Sequence, residues 1–530
     1  MGCGGSAERD TIGDGPDERR GGNASSLTQM AREASNRGGQ TRRTPEQRRL
    51  AEMQKEANTQ KDSGDLVGAM NSMYQILSGM EKHCGINSPE TMETVYMIGQ
   101  CYNDLRRFDE ALPMYRRALD GYESGLGAQH PDTLIILEAI AAVFVEQKQL
   151  QEAAEMYDKV ITGYEKSLGS NHMHTIYALE SYGMVMWAMQ DNDKAAASYA
   201  EALKRRTETF GEEDVLTLRT CQSLGGIMQR QGRRDEALAM YYRALMGREK
   251  KFGMGSAETL QSADSYGALL FETGSYDLAL DIYHRSLEAR EKELGLAHPD
   301  TLDTAHNVAV VLQKQSKLEE AYDMYQWALA GSEQAYGLNH PDTYNTYNNL
   351  GNLVGDQGRY DEALGFYECG LEGRKNALGE LHVDSLCAAS NAAIMLHYVG
   401  RYDEADSLYR KVKFGREDVY KSKDHALVLT TTHNLAMNCL KRGKLEEGAA
   451  MLETVSAARQ NLGDFIETYN SVHNLACVKM QQGQYSAAKT LFQRAWDNRR
   501  RLLGDAHVDV ADSKYNLELA ERYAAAFPSQ

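Results

Sequence analysis

The chain has 530 residues, 42% of them hydrophobic and 25% charged, with a formal net charge of −18. That balance is ordinary for a water-soluble protein and excludes a general nucleic-acid surface, which needs a basic field. No run of about 18 apolar residues and no apolar signal core is present, and the eight cysteines form no C-x-x-C pair, so a reducing, cytoplasmic setting without a membrane span is expected.

Residues 1 to 44 are expected to be a disordered leader, because Gly, Ser, Arg and acids alternate there with almost no large apolar residue. Within residues 1–49 nine Arg stand against seven Asp and Glu, so the acidity lies in the rest of the chain. The opening Met1-Gly2-Cys3-Gly4-Gly5-Ser6 fits the pattern for myristoylation at Gly2, with Cys3 placed for palmitoylation. One acyl chain holds a membrane marginally and two hold it stably. The motif therefore predicts attachment to the cytosolic face of a membrane, with the leader as tether.

From Thr44-Pro45-Glu46 a helical pattern begins, with threonine as N-cap and proline in the first turn. Glycine then recurs every 42 residues at Gly85, Gly127, Gly169, Gly211, Gly253, Gly295, Gly337 and Gly379, and again in register at Gly463. A fixed period in the range of about 20–50 residues marks an array of stacked supersecondary units. The flanking residues show what the glycine does: Leu126 to Thr133 (LGAQHPDT) returns as Leu294 to Thr301 (LGLAHPDT) and as Tyr336 to Thr343 (YGLNHPDT). Glycine is predicted to take the left-handed C-cap conformation of one helix. Proline then opens the next, and an acid meets its positive end. The recurring histidines are cap and loop residues on this reading, since ligands 42 residues apart lack metal-site spacing.

Each unit is predicted to hold two amphipathic helices, as in 343–356 and 360–375, here named the A and B helix. The B helix carries Ala111, Ala153, Ala195, Ala237, Ala279, Ala321, Ala363 and Ala405, each followed four residues on by a tyrosine, from Tyr115 to Tyr409. Small and large residues at i and i+4 share one face, so this pair is core. The metre slips at Lys421, where glycine is due, then at Asn434, one residue late, and at Asn474, forty residues further. The array is expected to bend or loosen near 418–430. Residues 507–524 are predicted to be an unpaired A helix capping the core, after eleven helix pairs starting at residue 45. The run Arg499-Arg500-Arg501 reads as the solvated end of a helix.

The stretch Asn348-Asn349-Leu350-Gly351-Asn352-Leu353-Val354-Gly355-Asp356-Gln357-Gly358-Arg359-Tyr360-Asp361-Glu362-Ala363-Leu364 resembles a tetratricopeptide repeat. The 42-residue form with its L-G-x-x-H-P-D-T linker is similar to the kinesin light chain type. The resemblance spans residues 45–530 and implies an all-α superhelical solenoid whose A helices line a concave peptide-binding groove. Kinesin light chains join their motor through an N-terminal heptad coiled coil. Residues 1–44 show no such a/d repeat, which argues against a motor subunit.

Asn345, Asn348, Asn349 and Asn352 fall at i, i+3, i+4 and i+7, a stripe of amides beside the core-facing Tyr347, Leu350, Gly351 and Val354. An amide offers donors and an acceptor together, suited to the backbone of an extended peptide. Asn307, Asn391, Asn434 and Asn474 repeat the place of Asn349, whereas earlier units carry Ser265, Ser223 and Ser181 there. The groove is therefore expected in the C-terminal half. By similarity to tetratricopeptide grooves, His306, His433 and His473 also face the ligand, and Lys314 and Lys441, two turns on, meet acidic side chains. The expected function is that of a non-enzymatic adaptor or scaffold for a protein or peptide partner, with no cofactor, metal or small-molecule substrate. No Walker loop, G-x-S-x-G elbow or H-E-x-x-H helix occurs. A fixed part of a larger cytoskeletal or ciliary assembly, or a kinesin-cargo adaptor, is the alternative.

Overall fold

The computed structural model describes residues 44–463 and 465–527, so the expected leader and its acylation motif at Gly2 and Cys3 lie outside the described residues. Among the described residues there are 23 helices and no strand. They fall into two compact units, one ending at Ile282 and one beginning at Tyr283. The first holds α1 (Pro45–Asp62), α2 (Leu66–His83), α3 (Pro89–Asp104), α4 (Phe108–Leu126), α5 (Pro131–Glu146) and α6 (Leu150–Ser167). It continues with α7 (Met173–Ala188), α8 (Asn192–Phe210), α9 (Val215–Arg230), α10 (Arg234–Phe252), α11 (Ala257–Glu272) and the start of α12 (Tyr276–Glu293). The second takes the rest of α12 and runs through α13 (Pro299–Lys314), α14 (Leu318–Tyr336), α15 (Pro341–Asp356), α16 (Tyr360–Leu378) and α17 (Val383–Val399). It ends with α18 (Tyr402–Tyr420), α19 (Ala426–Lys441), α20 (Leu445–Leu462), α21 (Ile466–Gln481), α22 (Tyr485–Leu503) and α23 (Val508–Ala526). Odd-numbered helices are A helices, and from α1 to α11 and from α13 to α23 each helix packs on its neighbours in the chain. The fold is a helical-repeat solenoid of helix pairs closed by α23.

The linkers explain the metre. His130 is the N-cap of α5, its Nδ1 accepting the Asp132 N–H at 3.3 Å, and His172, His298, His340, His382, His425 and His507 cap in the same way. The Thr133 hydroxyl donates to the Gly127 carbonyl at 2.9 Å and locks the linker, as Thr91, Thr175 and Thr301 do for Gly85, Gly169 and Gly295. Gly127 itself corrects the sequence expectation. Its φ of 94° comes with ψ of 159°, an extended mirror-image region rather than the left-handed helical one. That region is open essentially to glycine alone. At the turn inside each helix pair the demand is milder: Gly400 sits in the left-handed region at φ 89°, ψ 7°, and at this turn Arg106 and Lys148 take φ of 57° and 60°. Ordinary residues enter that region at a cost of about 1–2 kcal/mol. The linker glycine therefore repeats strictly and the turn glycine does not.

Lys421 cannot take the glycine geometry and adopts φ 49°, ψ 29° instead. The path from there to the cap at His425 is one residue longer than from Gly337 to His340, which accounts for the shift in register. The linker between α18 and α19 thus departs from the others in length and in backbone geometry. Across it α18 and α19 stay joined, because Arg416 Nη1 donates to the Leu427 carbonyl at 3.1 Å and to Thr431 Oγ1 at 2.6 Å.

The core follows the alanine and tyrosine metre. Ala111 is 0% and Tyr115 2% exposed, and the pattern holds through Ala405 and Tyr409. Each ring removes about 150–250 Å² from water. A Cβ on Gly99 of the paired A helix would lie 2.8 Å from the Tyr115 ring, so that glycine provides the close approach the tyrosine needs.

A candidate peptide-binding face built from the A helices

The eighth residue after the N-cap of an A helix proves to be a bridge to the next A helix. In α13 this is His306: the Asn349 side-chain amide donates to His306 Nε2 at 2.9 Å, and His306 Nδ1 meets Thr346 Oγ1 at 3.4 Å. Thr346 already donates to the Asp342 carbonyl at 2.8 Å, so its oxygen accepts and the proton of His306 sits on Nδ1. His433 repeats this on α21, with Ser471 at 3.1 Å from Nδ1 and Asn474 at 3.3 Å from Nε2. Burial pushes His306 down to about 4, and burial together with the nearby Arg459 charge does the same to His433. Both rings are therefore neutral bridges at neutral pH.

Asn348 bridges α15 to α17, its Oδ1 accepting from the Asn391 amide at 3.2 Å. His473 bridges α21 to α23 through Ser513 at 3.1 Å and Asp512 at 3.1 Å. In the first unit Gln222 spans the same two positions with the opposite polarity, its Oε1 accepting from Ser262 at 3.1 Å and its Nε2 donating to Ser265 at 2.8 Å.

The asparagine stripe is thus less open than its spacing suggested. Asn348, Asn391 and His473 are buried. Asn345 Oδ1 accepts from Arg374 Nη2 at 2.9 Å, and Asn352 Oδ1 accepts from the Tyr367 hydroxyl at 2.6 Å. What remains uncommitted is a smaller set in one register: Asn307 and Asn434, both half-buried and without an intramolecular hydrogen bond, and the Oδ1 atoms of half-buried Asn349 and Asn474. Lys314 and Lys441 are exposed two turns on. Among the described residues no cluster of three His, Cys, Asp or Glu could hold a metal.

The arginines went unrecognised in the sequence. Arg206, Arg248, Arg290, Arg374, Arg416, Arg459 and Arg499 are all buried on B helices. Arg459 Nη1 donates to the Glu467 carbonyl at 2.9 Å and Ser471 Oγ at 2.8 Å, the same serine that His433 meets. Arg499 does the same to the Asp509 carbonyl at 3.1 Å and Ser513 at 2.8 Å. Arg499 is therefore no part of a solvated helix end: it ties α22 to α23, and only Arg500 and Arg501 beside it are exposed. The available signal was the period, since Arg206, Arg248 and Arg290, like Arg374 and Arg416, are 42 residues apart. A charged residue that keeps the metre of the core belongs to the core.

The repeating helix pair and the A-helix face of each unit define a helical-repeat protein of the kind that presents a surface to other molecules. A tetratricopeptide repeat model matches residues 90–166, 174–250, 258–334, 300–376 and 342–413, and a second of the same description matches 470–509. The chain belongs to the tetratricopeptide repeat family. Among solved structures it resembles a putative kinesin light chain from Podosopora anserina with nearly identical TPR-like repeats, at 19% identity and TM-score 0.36 over 39% of this chain and 98% of that one. It also resembles BtubC (BKLC) from P. vanneervenii, at 18% identity and TM-score 0.38 over 44% and 93% of the two chains. The apo form of RapI is similar at 16% identity and TM-score 0.48 over 70% and 98%. No curated protein matches the chain.

Proposed function

We propose that the chain is a non-enzymatic scaffold that binds an extended polypeptide segment along the A helices α13, α15, α19 and α21. The observation that carries this reading is the register of uncommitted polar groups, Asn307, Asn434 and the Oδ1 atoms of Asn349 and Asn474. Their neighbours are pinned by the histidine bridges, which lowers the cost of ordering the face when a peptide docks. Lys314 and Lys441 add positive charge, so acidic side chains suit the segment. Replacing Asn307 and Asn434 together by alanine is expected to leave the helicity and the unfolding midpoint intact and to weaken binding to a peptide selected from a library by at least tenfold. Unchanged affinity would remove these amides from the site.

A second reading, a fixed component of a larger assembly, is favoured by one observation: most of the amide stripe is already bonded within the protein. In that case no peptide selected against the chain is displaced by substitutions on the A-helix face. Membrane recruitment is a separate extension that rests on Gly2 and Cys3 alone. Among the described residues no helix is long and apolar enough to cross a membrane. Acylation at Gly2 is tested by the membrane fraction of Gly2→Ala in a myristoylating host: equal partitioning of variant and wild type ends the idea.

A further inference from the structure

In the first unit, α8, α9 and α10 line an open crevice of about 410 Å³, within the size range of small-ligand sites. Its apolar wall is Leu203, Leu224, Met228 and Met240, and the exposed Lys204 and Glu208 also line it. Two departures from the repeat metre open it. Ala200 is small where the same register holds Asp158, Tyr242, His284, Gln326 and Arg410. Thr207 stands where Glu123, Glu165, Glu249 and Glu291 stand in other units.

The second departure leaves a guanidinium without its acid. Three register steps earlier, Arg117 pairs with the carboxylate of Glu81. Arg243 is the counterpart of Arg117 and Thr207 the counterpart of Glu81, each 126 residues on. Arg243 donates only to the Thr207 hydroxyl, at 3.2 Å, and its buried Nε has no hydrogen-bond partner. With Lys204 offset by Glu208, the Arg243 charge remains as a positive excess beside the apolar wall.

We propose that this crevice binds a small monocarboxylate with a short, flexible apolar body. The carboxylate pairs with the Arg243 guanidinium in the place the missing glutamate leaves, where a planar two-oxygen acceptor fits the arginine fork. The apolar body lies against Leu203, Leu224, Met228 and Met240, whose two thioether side chains adapt to an unbranched chain. The site is independent of the peptide-binding reading, since it uses other residues in the other unit.

The probe is octanoate, titrated into the full chain carrying ¹³C-labelled methionine methyls. Saturable shifts of the Met228 and Met240 methyls are expected. Ala200→Tyr, which fills the crevice, and Thr207→Glu, which supplies an internal carboxylate, should each weaken the response at least tenfold. Both introduce residue types that other units already hold in this register, and unchanged methyl signals elsewhere confirm that the variants stay folded. Octylamine should not compete. Shifts that never saturate, that survive both substitutions, or that octylamine reproduces would overturn the proposal. So would a response to an apolar and acidic dipeptide without one to octanoate.

Discussion

In the unit ending at Ile282 the bridge from α7 to α9 is a carboxylate: Glu180 accepts from Arg206 Nε at 2.9 Å and Nη2 at 2.8 Å, and from the Thr220 hydroxyl. In the unit beginning at Tyr283 the same position is filled by His306, Asn348, His433 and His473, so neutral rings and an amide do the joining. Arg206 is 0% exposed and Glu180 5%, which makes theirs a desolvated ion pair. Such a pair roughly balances its Coulomb gain against lost hydration, and its strength shows only when one half is removed. The neutral bridges carry no comparable desolvation cost. They also leave amide oxygens and whole asparagines uncommitted along the face. One fold position thus serves as a closed joint in one unit and as part of an open polar surface in the other.

The largest effect that separates the two designs is expected from Arg206→Ala, which leaves the buried Glu180 charge only the more distant Arg219, 4.0 Å away, and costs about 3–5 kcal/mol. Hydrogen exchange resolved along the chain suits a repeat array, whose unfolding need not be all-or-none, and should show opening confined to α7–α9. Arg206→Met combined with Glu180→Leu should recover most of the loss. If the single and double variants were equally unstable, the stranded charge would not be the cause.

Acid comes next. His306 and His433 are held near 4 in the folded chain against about 6.5 when unfolded. The unfolded chain therefore takes up protons first as pH falls. Their stabilisation is complete above about pH 6.5 and is lost progressively down to about pH 4, by at most about 3 kcal/mol per ring. The Gln222 bridge of the first unit has nothing to titrate. Exchange measured between pH 7 and pH 4.5, corrected for its intrinsic rate, should show α13–α15 and α19–α21 loosening before α9–α11. A uniform response along the chain would erase the distinction.

Smaller effects sharpen the picture. Asn349→Ala removes the donor to His306 Nε2 and is expected to cost about 1 kcal/mol, the net value of one such bond. His306→Gln should change stability by less than about 0.5 kcal/mol at pH 7, because Gln222 already spans both positions and a turned amide donates to Thr346 and accepts from Asn349. The same variant should abolish the acid response of α13–α15. A large loss at neutral pH would mean that ring packing, including the His306 contact with Tyr325 at 5.3 Å, outweighs the hydrogen bonds.

Much of the architecture was legible from short-range signals. The His and Pro of the linker, the glycine past every B helix but α18 and the alanine–tyrosine pair specified eleven helix pairs and the terminal α23, because capping and amphipathic spacing act over a few residues. The mirror-image backbone at Gly127 was not legible, since sequence shows that glycine is required and not which positive-φ region it fills. The polar face was read least well. Asn348 and Asn391 looked like a solvent-facing stripe, yet they meet each other across 43 positions. Arg499 looked like one member of a solvated basic run and is instead the tie that holds α23.

By itself, then, the sequence determined the repeat, the register and the core, all of which rest on contacts within one helix pair. The tertiary structure decided the fate of each polar side chain, because bridges such as His306 to Asn349, Arg459 to Ser471 and the unpaired Arg243 beside Thr207 depend on how one pair stacks on the next. That stacking sets which donors and acceptors are sealed together and which are left for another molecule.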